Sequence, residues 1–292
     1  PMSFTTLITA KELADHPAQG LRILDCRGRL GDPAWGQMAF DQGHIPGAVH
    51  ADMDRHLATQ PNQHGRHPLP SPQAWLAQIQ AWGIENQDQV VVYDDAGGSF
   101  AGRAWWMMRW LGHLNVAVLD GGLNNWSGPL TEPGGRVEAY SPSQFQATTP
   151  LTKLSSAEDV LTLSTTLMNA ANTATEYLID ARALARFAGD EEPIDPVAGH
   201  IPGAVCLPFS DNLDDQGFFK APDDLATRFL ALGLERSHKD PAVTIYCGSG
   251  VTAIHNILAM RIAGFGEAAL YADSWSGWIV DANRPVASGL DK

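Results

Sequence analysis

At 292 residues the chain has room for two ordinary domains and needs no staple to complete a core. A composition of 44% apolar and 18% charged residues excludes wholesale disorder, and three cysteines without a C-x-x-C pair exclude a disulfide framework or a zinc site. The net charge of −14 argues against nucleic acid or an anionic membrane as partner, and no apolar run approaches the ~18 residues of a membrane span.

Taken in chain order, the segment Pro1-Met2-Ser3-Phe4 lacks a basic region followed by an apolar core, so no signal peptide is expected. Pro1 ahead of Met2 reads as an added residue. With so few cysteines, the expected compartment is reducing and cytoplasmic. The capping-box pattern Thr9-x-x-Glu12 predicts a helix start. LRILDCRG (21–28) is a short apolar strand ending in Asp-x-Arg, followed by GHIPGAV (43–49). A helix is predicted over PQAWLAQIQAWGI (72–84), a strand over VVVYDD (90–95) and a core helix through AWWMMRW (104–110). SPSQFQATTP (141–150) has neither charge nor apolar periodicity and reads as a linker. A second capping pattern, Ser155-x-x-Glu158, then opens a second set: YLIDARA (177–183), GHIPGAV (199–205), VTIYCG (243–248) and a helix through VTAIHNILAMRIAG, with Gly264 as its stop.

The second set repeats the first. Asp25 to Asp180 spans 155 residues, His44 to His200 156, Tyr93 to Tyr246 153 and Trp126 to Trp278 152. A near-constant offset over four landmarks, with a seven-letter identity in register, means one domain used twice. Strands alternating with helices predict an α/β fold, each copy a parallel sheet with helices on both faces. The expected division is 1–140, linker 141–150, and 151–292. His44 and His200 occur in both copies and read as structural.

Ligands in open α/β sheets bind beyond the carboxyl ends of the strands. There the copies differ: Cys247-Gly248-Ser249-Gly250-Val251-Thr252-Ala253 follows VTIY, whereas Asp94-Asp95-Ala96-Gly97-Gly98 follows VVVY. A cysteine leaving a strand into a glycine turn before a helix meets backbone N–H groups and the positive helix end, which favour a sulfur anion. Cys26 and Cys206 have no such turn and read as core. A cysteine phosphatase needs an arginine closing C-x-x-x-x-x-R, and none occurs between Cys247 and Arg261. No histidine and asparagine stand out as protease partners, and the ten histidines show no metal-ligand spacing.

The paired GHIPGA segments, LDGGLNNW with YADSWSGW, and CGSGVTA resemble the tandem rhodanese family of sulfurtransferases over essentially the whole chain outside the linker. Within it, CGSGVTA is similar to the active loop of the 3-mercaptopyruvate sulfurtransferases. The resemblance implies two tandem rhodanese-like domains, the first catalytically inert and the second catalytic. It implies a transferase without cofactor or metal, in which Cys247 takes sulfane sulfur from a small-molecule donor as a persulfide. The sulfur then passes to a thiol such as thioredoxin, or to cyanide. Thiosulfate is the alternative donor, and a persulfide carrier or sulfur-relay module is the alternative of another class. A monomer is expected.

Residue by residue, the resemblance makes Ser249 the group that relays a proton or polarises the substrate, and Gly248, Gly250, Val251 and Thr252 the loop around the sulfur. It places Asp54 and His67 beside Ser249 in a triad, with His64 the rival of His67 because the intervening segment is two residues longer than the family's. Arg186, with Gly189 after it, matches the arginine that holds the donor carboxylate. The family's second arginine is absent: that position holds Ile194, and Arg66 is the expected replacement.

Overall fold

The computed structural model describes residues 3–135, 137–170, 173 and 175–290, so Pro1 and Met2 lie outside it. Two compact units emerge. Unit 1 comprises the chain up to Thr59, Leu69–Leu151 and Asp214–Phe219; unit 2 comprises Gln60–Pro68, Thr152–Leu213 and the chain from Lys220. Relative to the division by chain order, two loops, Gln60–Pro68 and Asp214–Phe219, belong by their contacts with the other copy.

Unit 1 holds strands β1 (Leu7–Ile8), β2 (Leu21–Asp25), β3 (Ala48–His50), β4 (Gln89–Tyr93) and β5 (Val116–Leu119), ordered β1-β5-β4-β2-β3. Unit 2 holds β6 (Lys153–Leu154), β7 (Tyr177–Asp180), β8 (Val205–Cys206), β9 (Val243–Tyr246) and β10 (Ala269–Leu270), ordered β6-β10-β9-β7-β8. The two orders are the same, and every pairing is parallel. Central strands β4, β5 and β9 are buried at every position, as apolar runs covered by helices on both faces must be. Unit 1 contributes helices α1 (Ala10–Asp15), α2 (Trp35–Gln42), α3 (Pro72–Ala81) and α4 (Ala101–Trp110). Unit 2 contributes α5 (Ala157–Asn169), α6 (Leu184–Ala188), α7 (Pro222–Leu230), α8 (Ala253–Ile262) and α9 (Ser274–Trp278). Ala101 through Arg109 are all buried, which accounts for the tryptophan-rich stretch as core.

Thr9 and Glu12 form the expected capping box of α1. The second box lies one residue beyond the expected Ser155 and Glu158: Ser156 caps α5 and Asp159 returns the bond. The reason is that the Ser155 N–H still donates to Leu270 O at 2.9 Å, as strand backbone, so the first residue free to cap is the next one. Residues 141–150 run along unit 1, where the Ser143 hydroxyl donates to Ile84 O and the buried Phe145 takes a bond from Gln80 on its carbonyl.

The repeated letters form one interlock, built twice. The Asp25 carboxylate takes the Arg27 guanidinium at 2.7 Å and the Tyr93 hydroxyl at 2.7 Å, while Arg27 also donates to Gly43 O and the Tyr93 oxygen accepts Ile45 N–H. In unit 2, Arg182 meets Asp180 at 2.6 Å and donates to Gly199 O, and the Tyr246 oxygen accepts Ile201 N–H. His44 stacks on Phe40 and His200 on Phe187, each at 3.7 Å between ring centres, with Nδ1 on the carbonyl of that phenylalanine. The GHIPGA segments therefore lock strand ends to turns. Buried ion pairs of this kind matter because removing one partner strands the other charge.

Candidate active site

β9 delivers Cys247 to the carboxyl edge of its sheet, and the loop 247–252 leads directly into α8. The loop is laced to α9: Cys247 O accepts Trp275 N–H and Gly248 O accepts Ser276 N–H, both at 2.9 Å. The Cys247 N–H donates to Ser274 Oγ at 3.1 Å, and the Gly250 N–H donates to the Cys247 sulfur at 3.2 Å. Gly250 has φ +81°, and a Cβ there would strike Ala272 O, so only glycine turns this N–H onto the sulfur. Val251 is buried beneath the loop and Thr252 stands at the N-terminus of α8.

Ser274 is the one non-glycine residue with positive φ among the described residues, at 54°. Its hydroxyl lies 3.9 Å from the Cys247 sulfur and 3.0 Å from Tyr271 O. Its letter alone does not mark it in the sequence, though a signal was present. In the repeat it matches Gly122, whose φ is 57°, so a serine occupies a slot that the sister copy gives to glycine. Holding a side chain there costs on the order of 1 kcal/mol.

His67 reaches the loop, with its Nδ1 2.7 Å from Ser249 Oγ. His64 instead pairs with Asp273 at 3.0 Å, so of the two rivals His67 is the one beside Ser249. Asp54 lies on unit 1, in the first turn of a π-helical segment (Met53–Leu57) whose N-cap is Asp52. Partial burial and the neighbouring Asp52 raise its carboxyl above the ordinary range.

Two guanidiniums flank Gly248: a Cβ built there would lie 2.9 Å from Arg66 Nη2 and 3.3 Å from Arg186 Nη1. Arg186 sits on α6, which Gly189 ends in the left-handed conformation at φ 82°. Neither arginine stands alone. Arg66 Nε donates to Asp195 Oδ1 at 3.0 Å, and Arg186 Nη2 donates to Asp195 Oδ2 at 3.2 Å and to both Glu192 oxygens at 3.0–3.1 Å. Burial favours the neutral form of Glu192, but N–H bonds from Asp195 and Ile194, together with Arg186, outweigh it and hold the carboxyl below its ordinary value. The residue at the absent arginine's position, Ile194, is half-exposed.

Of the other two cysteines, Cys26 is buried in the core and Cys206 packs partly buried against it. Burial, with Asp25 and Asp94 nearby, pushes the Cys26 thiol well up, and burial and Asp180 push Cys206 up to about 12. Cys206 directs its sulfur to Arg182 O as His50, at the matching position, directs Nε2 to Arg27 O. Where unit 2 has Cys247, unit 1 has the buried Asp94, whose carboxylate fills its own loop: Oδ1 accepts N–H from Ala96 and Gly98, and Oδ2 from Phe100 and Ala101, all at 2.8–2.9 Å. This strand-to-helix loop is thus an amide nest with the geometry to hold an anion. Among the described residues no group of three or more His, Cys, Asp or Glu could hold a metal ion, and no helix is long and apolar enough to cross a membrane.

Residues 9–129 and 164–281 match the family model for the rhodanese-like domain. The chain is 44% identical over 292 residues to a protein of Pseudomonas aeruginosa named "Probable 3-mercaptopyruvate sulfurtransferase", covering 99% of this chain and 100% of that one. It is 34% identical to the thiosulfate sulfurtransferase of Mus musculus, covering 94% and 92% of the two chains. The crystal structure of SseA from Escherichia coli, a 3-mercaptopyruvate sulfotransferase, superposes with a TM-score of 0.76 at 30% identity, covering 94% of this chain and 100% of that one.

Proposed function

The chain belongs to the rhodanese-like family, whose named relatives are sulfurtransferases, and we propose that it moves sulfane sulfur from 3-mercaptopyruvate to an acceptor through a Cys247 persulfide. The observation that carries this reading is the Gly250 N–H aimed at a buried cysteine sulfur whose loop also places Ser249 against His67. In the first half-reaction the Cys247 thiolate attacks the donor sulfur. The S–S bond forms as the donor's C–S bond breaks, and the pair from that bond passes to carbon as the pyruvate enolate, which takes a proton. Ser249 and His67 are the groups assigned to supply that proton. Loop amides from Gly248 to Thr252 stabilise the persulfide anion, and Arg186 and Arg66 hold the donor carboxylate. In the second half-reaction an acceptor thiolate or cyanide attacks the outer sulfur and Cys247 leaves as thiolate, a double displacement.

On this reading the catalytic site belongs to the second copy, and the first is inert because Asp94 already fills its nest. The acceptor is a thiol such as thioredoxin, or cyanide, and the protein works as a monomer in a reducing, cytoplasmic compartment. That all three cysteines are free supports the compartment. The likeness to a thiosulfate sulfurtransferase, together with Ile194 in place of an arginine, supports thiosulfate as the second donor.

The test is donor turnover. With cyanide as acceptor, pyruvate release from mercaptopyruvate should exceed sulfite release from thiosulfate, and Cys247→Ser should abolish both. Faster release of sulfite would exchange the donors, and turnover by Cys247→Ser would remove the cysteine from the mechanism.

A further inference from the structure

Three guanidiniums, Arg66, Arg182 and Arg186, lie in one linked cluster with three carboxylates, Asp180, Glu192 and Asp195. Formal charges therefore cancel at the place where a donor's anionic end must arrive. The side chains of Glu192 and Asp195 are 6% and 3% exposed, so neither charge is dispersed into water. Asp195 is the shared element: its Oδ2 lies 3.3 Å from Arg66 Nη2 and 3.2 Å from Arg186 Nη2. Those are the two side chains that flank Gly248, the residue next to the nucleophile. A carboxylate of the protein already sits in the fork that a donor carboxylate would use.

We propose that Asp195 is a specificity-determining residue: its carboxylate cancels one guanidinium charge beside the Cys247 loop and so selects monoanionic donors over dianionic ones. The inference rests on the sulfurtransferase reading and refines its donor class. A carboxylate donor with a neutral thiol brings one negative charge to a cluster that is already balanced. Thiosulfate brings two. Because the Coulomb term scales with the donor's charge, each negative charge supplied by the protein is felt twice by the dianion and once by the monoanion. Removing the Asp195 charge should therefore help both donors and help the dianion more. Glu192 is the lesser lever, since its Oε2 is also tied down by the N–H groups of Ile194 and Asp195.

The experiment compares kcat/KM for thiosulfate and for 3-mercaptopyruvate in the full chain and in Asp195→Asn, at low and high ionic strength. The thiosulfate-to-mercaptopyruvate ratio should rise about tenfold in Asp195→Asn, the rise should shrink with salt, and Asp195→Glu should restore the original ratio. A ratio that stays constant while both rates fall would mean that Asp195 only props up the arginines, and would overturn the proposal. So would a fall in the ratio. A measurement on the unmodified chain guards against a variant that fails to fold. Pyruvate, a monoanion, should protect Cys247 from iodoacetamide at concentrations where sulfate, a dianion, does not, and equal protection by sulfate would also overturn the proposal. If the unmodified chain takes sulfur from neither donor, the sulfurtransferase reading fails instead, and that result is distinct from any change in ratio.

Discussion

His67 Nδ1 and Ser249 Oγ lie 2.7 Å apart, a hydrogen bond across 182 residues of sequence within one structural unit. The contact gives the serine two positions past Cys247 a proton partner. Only a donor whose leaving group must be protonated on carbon needs that partner. Ser249→Ala should therefore lower kcat for mercaptopyruvate by about 100-fold, in the range of a lost general acid. Thiosulfate, which releases sulfite as an anion, should be affected far less. Steady-state rates with both donors check this, and equal losses would remove the proton-relay role.

The loop glycines should separate by what surrounds them. Gly250→Ala forces a side chain into φ +81° and against Ala272 O, so the N–H that faces the sulfur must turn away. Alkylation of Cys247 by iodoacetamide should slow by about tenfold, the loss expected of one oriented donor. At Gly248 the atoms nearest to a new Cβ are the ends of the Arg66 and Arg186 side chains, which can shift. Gly248→Ala should keep near-normal alkylation and instead raise KM for the donor.

The interlock common to both copies should be a stability element in each. Asp180→Asn takes from Arg182, itself 3% exposed, the carboxylate it meets at 2.6 Å and leaves it the more distant Glu192 at 3.5 Å, and should cost about 3 kcal/mol in urea unfolding. Asp25→Asn, which strands Arg27, should cost a similar amount. A change below about 1 kcal/mol at either site, the scale of an exposed pair, would contradict the assignment.

His56 should make stability pH-dependent. Its Nδ1 accepts the Asp52 N–H at 2.9 Å and its ring meets Trp82 edge-on. Burial, followed by the charge of Arg55, lowers its pKa from the ordinary 6.5 to about 4. A histidine depressed in the folded state binds fewer protons than the unfolded chain between those values, so stability is full above pH ~6.5 and falls as pH drops toward ~4. The loss should reach roughly 3 kcal/mol. His56→Gln should flatten the profile in that window, and an unchanged slope would assign the dependence to other buried groups.

How much of this was legible in the sequence depends on whether a feature is written locally or made by contacts. The repeat offset placed two like sheets, because strands, turns and the Asp-x-Arg interlock recur at a fixed spacing. The change from Asp94 to Cys247 located the loop, because one letter there replaces a self-satisfied carboxyl group by a cysteine. Asp195 was not legible as a partner of Arg66, since an ion pair between residues 129 apart leaves no periodicity. Gln60–Pro68 joined unit 2 for the same reason: loop membership is decided by what the loop touches. Ser274 was hidden behind a dissimilar letter in the repeat, where only the backbone angle shared with Gly122 reveals the equivalence. The capping box of α5 slipped by one residue because a strand bond at Ser155 competes with the cap, and neighbouring serines look alike in sequence.

The most direct measurement is the intact mass of the protein after brief exposure to 3-mercaptopyruvate, with the excess donor removed. The expected result is a gain of one sulfur atom, lost again on adding cyanide or a thiol, and absent in Cys247→Ser. No gain in the unmodified chain, with either mercaptopyruvate or thiosulfate, or an equal gain in Cys247→Ser, would contradict it.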